Sequence, residues 1–245
     1  MKKYFNGFAM CQTMFCAIPC PLKIWDEEAR DKQILFLPFI GAEIGLLWFV
    51  VAKICDFIDI PSILVAFVLA VLPFVLSGCI HLDGFMDVTD AVKSCRSLEK
   101  RREILKDSHA GAFAVIGCIF LITGQFAAFC SVEPGNCAVL VFIPVVSRCC
   151  SALALNTLKK INQSQYIGFE KNKGHIAVLI AVMIVAVIIS VIVCGRYAVV
   201  VAAVVVGYLW ALRKGYKSLD GINGDVTGYA LTTAEFCGIL ALALL

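Results

Sequence analysis

Runs of roughly twenty apolar residues recur along the whole chain between short polar segments, and no other feature restricts the fold as much. Ile34 to Ile54, Pro61 to Ile80, Ala112 to Val132, Cys137 to Leu158, Ile176 to Cys194, Tyr197 to Leu212 and Gly228 to Leu245 each read as a crossing of a hydrocarbon core about 30 Å thick. Lipid offers no partner to a backbone N–H or C=O, so a spanning segment must be helical even where Val and Ile dominate, as in Ile176 to Cys194. The expected architecture is all-α: a polytopic membrane bundle of about seven transmembrane helices. A balance of 61% hydrophobic to 16% charged residues agrees with this and lies outside the range of water-soluble domains. No polar segment exceeds about 30 residues, too few for a soluble domain, and no internal repeat is visible. Residues 1–245 are expected to form a single membrane-embedded domain.

Residues 4 to 22 are also apolar, but Asn6, Gln12 and Pro19 interrupt them, and Ile18-Pro19-Cys20-Pro21 stops any helix. An interfacial or re-entrant segment is expected there, not a span and not a cleavable signal peptide. Lys and Arg collect in the N-terminus and in segments 81–110, 159–175 and 213–227, which alternate spans put on one side; only Arg196 lies in a loop on the other. The positive-inside rule makes the basic side cytoplasmic. A net charge of +3 is too small to argue for a nucleic-acid partner. The thirteen cysteines lie mostly inside apolar stretches and include no CxxC pair, which fits small buried hydrophobes in a reducing compartment better than disulfides or metal ligands.

The chemistry-bearing stretch is His81-Leu82-Asp83-Gly84-Phe85-Met86-Asp87-Val88-Thr89-Asp90, at the end of the second apolar run. If the helix continues there, steps of four and three residues place Asp83, Asp87 and Asp90 on one face. A divalent cation keeps such a face ionised, and hard oxygen ligands beside an open position favour Mg²⁺ with phosphate as the remaining ligand. Gly84 would leave the backbone accessible beside the first carboxylate. The plain alternative is a solvated helix end. Glu43 lies midway along the first span, either as a functional group facing the bundle interior or as a hydrogen-bonded acid between helices. Three further clusters fall toward the same side: Lys106-Asp107-Ser108-His109-Ala110-Gly111; Arg148 within the fourth span; and Asp220-Gly221-Ile222-Asn223-Gly224-Asp225-Val226-Thr227-Gly228 with Glu235 beyond it. Taken singly, these could be a polar turn or a structural Arg148–Glu235 ion pair.

Taken together they resemble one family. His81-Leu82-Asp83-Gly84-x-x-Asp87-x-x-Asp90-Ala91, Arg101-Arg102-Glu103-Ile104-Leu105-Lys106-Asp107-Ser108-x-x-Gly111, Arg148 and Asn223-Gly224-Asp225-Val226-x-Gly228 with Glu235 are similar, in order and spacing, to cobalamin synthases, the adenosylcobinamide-GDP ribazoletransferases. Ile18-Pro19-x-Pro21 resembles that family's N-terminal segment. The chain departs from the pattern at His109, where members commonly carry Arg, and at Asn223, where they carry Thr; Glu43 matches no motif.

The resemblance implies joining of adenosylcobinamide-GDP to α-ribazole or its 5′-phosphate with release of GMP, at the cytoplasmic face of a bacterial inner membrane. It implies Mg²⁺ on Asp83, Asp87 and Asp90, with Asp107 or Asp225 completing the site or taking the nucleophile's proton. His81, Lys106, Ser108, Arg148, Asn223 and Glu235 would bind substrate, Lys106 and Arg148 stabilising charge on the departing GMP. The partners it implies are these substrates and the lipid bilayer; association with a second copy or with other corrinoid-assembly enzymes stays open. A Mg²⁺-dependent CDP-alcohol phosphotransferase is the alternative among enzymes, but Asp83-Gly84 is not followed by that family's Ala-Arg pair. A transporter using Glu43, Arg148 and Glu235 is the alternative of another class, and its inverted repeats are not visible.

Overall fold

The computed structural model describes residues 2–132, 134–161 and 172–245. The protein is all-helical there, apart from an isolated parallel bridge between Lys160 and Ile222. Its helices are α1 (Lys2–Phe15), α2 (Arg30–Leu35), α3 (Leu37–Phe57), α4 (Ser62–Leu76), α5 (Ile80–Lys93), α6 (Leu98–Ile104), α7 (Ala112–Phe129), α8 (Phe142–Thr157), α9 (Lys173–Cys194), α10 (Val199–Leu219) and α11 (Gly224–Ala243). This is a multi-pass membrane helical bundle.

The number of membrane-spanning stretches departs from the seven expected. Among the described residues five are long and apolar enough, or six if the bent pair α4 and α5 counts as one. One cause is a break in the second expected span. α4 ends at Leu76, Gly78 and Cys79 take positive φ angles of 61° and 60°, and α5 leaves at 91° to α4. The acidic stretch is therefore not a straight continuation of a span but a separate helix. The other cause is that the fifth and sixth expected spans run together, with no polar loop between them, into one apolar stretch of 47 residues, Lys173–Leu219, long enough for two crossings. It folds back at Gly195 (φ 55°), through a 3₁₀ turn over Gly195–Ala198 that packs on the 3₁₀ segment Pro134–Val141 leading into α8. The expected tight turn at 133–136 becomes this 3₁₀ segment, with Glu133 outside the described residues; most of the 159–175 loop, residues 162–171 with Lys171, also lies outside them.

α8 is buried round most of its circumference and forms the centre. Its neighbour α3 approaches closely because Gly41 and Gly45 face the backbone of Pro144 and Val141, where any Cβ would collide. α9, apolar all round but burying only His175, Leu179, Ala186 and Ser190, presents most of its surface to lipid.

The third expected polar loop, Arg213 to Thr227, is mostly helix. α10 continues to Leu219, and Asn223 caps α11 by accepting from the Val226 N–H at 2.9 Å. Basic side chains close the C-terminus of α10: Arg101 donates to the Ser218 carbonyl at 3.1 Å, Arg102 to that of Leu219 at 2.9 Å, and Lys159 meets Asp220 at 2.9 Å. At the N-terminus α1 has 14 residues, about 21 Å and too short to cross. It is tied down by Asn6 donating to Asp26 at 2.7 Å and by Gln12 donating to Glu43 at 3.1 Å, which gives Glu43 a structural partner. All thirteen cysteines are free.

Candidate functional site

α5 carries Asp83, Asp87 and Asp90 along one face, Asp83 exposed and the other two half-buried. α5 packs antiparallel on α11, and the contact is made possible by Gly84: a Cβ there would stand 2.9 Å from the Asp225 Cα. Gly84 is buried beneath α11, so it serves helix approach and does not leave the backbone open as the sequence suggested. The close approach brings a fourth carboxylate to the group. The charges of Asp83, Asp90 and Asp225 all act on Asp87, and that of Asp83 acts on Asp225. Asn223 steadies Asp225 by donating to its Oδ2 at 2.6 Å, while its own oxygen caps α11.

Asp90 is held differently. Its carboxylate lies directly against Gly111, the N-cap of α7, where a Cβ would overlap it. Asp90 and Gly111 also border a shallow groove with Ser94, Arg96 and Lys100, two cations whose place beside the acids the motifs did not mark.

Lys106, Asp107 and Ser108 occupy an exposed turn just before α7. His109 donates its backbone N–H to Asp107 Oδ1 at 3.0 Å and its ring nitrogen lies 2.7 Å from the same oxygen, so these bonds hold the Asp107 carboxyl below its ordinary range. Asp107 thus has a local partner in a turn.

Arg148 and Glu235 meet inside the bundle at 2.7 Å, 1% and 5% exposed, and Ser147 donates to the same Glu235 oxygen at 2.8 Å. The ion-pair alternative weighed for these two residues is the arrangement the fold adopts.

His81 opens α5. Its ring stacks on Phe15 with centroids 5.8 Å apart and planes at 9°, and its carbonyl accepts from Thr232 at 3.1 Å. Its Nε2 is buried and has no hydrogen-bond partner among the described residues. The ring borders a cavity completed by Phe15, Leu37, Ser151, Leu155, Asp225, Thr227 and Leu231. Apart from His81, Asp225 and Thr227, none of these lies in a recognisable motif. Isolated apolar residues and a serine from α1, α3, α8 and α11 carry no signal until the helices pack.

Among the described residues no three His, Cys, Asp or Glu side chains already converge as a ligand set. The donor chemistry nevertheless suits a hard divalent cation: Asp83, Asp87 and Asp225 offer only carboxylate oxygens, on accessible or half-buried side chains that can rotate together.

The family model described as cobalamin-5-phosphate synthase matches residues 7–243. A Clostridium perfringens (strain SM101) protein named adenosylcobinamide-GDP ribazoletransferase is 35% identical, with all of both chains covered. Proteins of the same name from Lachnoclostridium phytofermentans and Brevibacillus brevis are 33% and 30% identical, over 99% and 97% of this chain and 95% and 97% of theirs. No solved structure matches. A match of this extent, over a chain that sets an acidic helix against the first turn of α11, means that the protein belongs to the cobalamin-5-phosphate synthase family.

Proposed function

We propose that this protein is an adenosylcobinamide-GDP ribazoletransferase, joining adenosylcobinamide-GDP to α-ribazole or its 5′-phosphate and releasing GMP. The observation that carries the reading is the convergence of Asp225 on Asp83 and Asp87 across the Gly84 contact, within a chain similar from end to end to proteins of that name.

Transfer of a phosphoryl group between oxygens depends mainly on positioning and charge stabilisation. Asp83 and Asp87 would hold Mg²⁺, with Asp225 or Asp90 as a further ligand, and the cation would screen the diphosphate and polarise its oxygens. Asp225 borders both the acidic group and the His81 cavity, which suits it to orient the acceptor hydroxyl or take its proton. Asn223 keeps Asp225 in place. Lys106 and Ser108, exposed before α7, together with Arg96 and Lys100, offer charge-assisted contacts to the departing GMP. Arg148 and Glu235 are assigned a positioning role: a guanidinium already neutralised inside the bundle holds α8 to α11 and does not meet the leaving group. Asp107 is assigned to ordering the Lys106–Ser108 turn. The basic end of the bundle, with the site, is assigned to the cytoplasm.

The test is GMP release from adenosylcobinamide-GDP by the purified protein in liposomes, with each acceptor form and with and without Mg²⁺. Release with cobalamin formation that needs both acceptor and metal is expected. No release from folded protein with either acceptor would overturn the reading.

A further inference from the structure

The acidic row of α5 ends in the groove that Asp90 and Gly111 border. The groove takes in about 580 Å³, within the range of small-molecule sites, and stays open along one side. Its lining has two characters. Arg96 and Lys100 make one side cationic, and Arg96 forms no ion pair among the described residues; Ile104, Ala112 and Phe113 make the other apolar, with Phe113 47% exposed. Free hydrogen-bond acceptors are scarce by contrast. Ser94 Oγ already donates to the Ala91 carbonyl at 2.7 Å, and the Glu103 carboxylate, one turn along α6, is taken by Lys100 at 2.6 Å. Asp90 is the one carboxylate among the described lining residues, and it stands in the row with Asp83 and Asp87.

We infer, on the transferase reading, that this groove seats the nucleotide half of the donor by phosphate charge and ring stacking, without reading the edge of the base. That makes Phe113 a binding residue and leaves guanine unselected among purines. The guanine edge presents N1–H and N2–H donors, which a selective site meets with fixed acceptors such as a carboxylate. Here the one lining carboxylate belongs to the acidic row, where the diphosphate and its cation are placed, and is not left over for the base. A cationic side and an aromatic face suit any purine nucleotide, since charge holds the phosphate and every base has a π-face. The choice of guanine is then made by the nucleotidyl transfer that must supply this donor, and not by this protein.

The test is equilibrium binding of GMP, IMP and AMP to the purified protein in detergent, with Mg²⁺ and no corrinoid. All three are expected to bind within about threefold of one another, whereas a site built to hydrogen-bond the guanine edge would reject AMP by orders of magnitude. Phe113→Ala should weaken GMP about tenfold or more and Phe113→Trp should restore it, the scale of one base stacked on one ring. Phe113 is exposed, so neither change disturbs the core. Arg96→Gln with Lys100→Gln should weaken GMP about tenfold and leave guanosine, which has no phosphate, unchanged. Lys173→Gln removes an exposed cation outside the groove and should alter no affinity. In turnover GMP should compete with the donor and not with the acceptor. AMP bound about 100-fold or more weaker than GMP overturns the inference, because the base edge is then read. GMP affinity unchanged in Phe113→Ala, or in the cation double variant, overturns it as well. If wild type carries out no transfer yet binds GMP in a way that these variants abolish, the reaction fails and the groove stands; if wild type turns over and the variants bind GMP as it does, the groove fails and the reaction stands.

Discussion

Arg148 Nη1 lies 2.7 Å from Glu235 Oε1, both side chains almost fully enclosed, so α8 and α11 are joined by a charge pair withdrawn from solvent. Removing one member strands the other. Arg148→Met or Glu235→Leu alone should lower stability by about 3–5 kcal/mol, whereas the double variant should recover most of that loss because two apolar side chains replace a pair that was costly to desolvate. Unfolding in detergent, arranged as a double-mutant cycle, checks this; equal losses for single and double variants would show that the pair is not the unit.

Gly84 sets the distance between α5 and α11. Gly84→Ala would put its Cβ 2.9 Å from the Asp225 Cα and push the acidic helices apart, with a loss of about 1–3 kcal/mol and of most turnover. Gly78→Ala is the contrast. Nothing lies within 4 Å of a Cβ there, and the cost is the positive φ of 61°, roughly 1–2 kcal/mol, with turnover largely kept. Turnover measured at matched folded fraction separates the two.

Under the proposed mechanism, chelation of divalent metal should stop GMP release and added Mg²⁺ should restore it. Asp83→Asn and Asp87→Asn should each lower turnover about 100-fold or more and raise the Mg²⁺ concentration needed for half-maximal rate. A variant that loses rate but keeps its Mg²⁺ dependence would remove that residue from the ligand set.

Lys159 meets Asp220 at 2.9 Å, and that hydrogen bond holds the Asp220 carboxyl below its ordinary range. A folded-state value below the unfolded one stabilises the protein above the unfolded value, near 4, and the contribution disappears as pH falls through the lower folded value. Asp220→Asn should therefore be less stable than wild type at pH 7 and equal to it in strong acid. Because both side chains are largely exposed, 0.5 M salt should shrink the difference. Thermal unfolding against pH at two ionic strengths reads it.

The assigned orientation can be read with the protein's own thiols. Cys95, between α5 and α6, and Cys130, at the far end of α7, are both exposed and lie at opposite ends of α7. In intact cells a membrane-impermeant maleimide should reach Cys130 and spare Cys95, with Cys95→Ser and Cys130→Ser identifying the signals. The reverse pattern would invert the protein in the membrane.

Hydropathy along the chain fixes the solvent and the class of fold, because about twenty apolar residues in a row have few places to go but a bilayer. The sequence also placed most helices of the bundle, the shared face of Asp83, Asp87 and Asp90, and the set of motifs that mark the family. These are local properties, written in periodicity and spacing. Tertiary packing decided the rest. Cys79 takes a left-handed conformation that composition does not announce, and it turns an expected continuous span into two helices at 91°. Only packing chose Glu235 as the partner of Arg148, whereas the Asn223 cap on α11 and the Asp107–His109 contact are local bonds between residues three and two apart. Asp225 lies far from Asp83 along the chain, and what unites them is an interhelical distance that a missing Cβ permits. The cavity beside His81 had no motif to betray it, since α1, α3, α5, α8 and α11 each supply only one or a few of its walls.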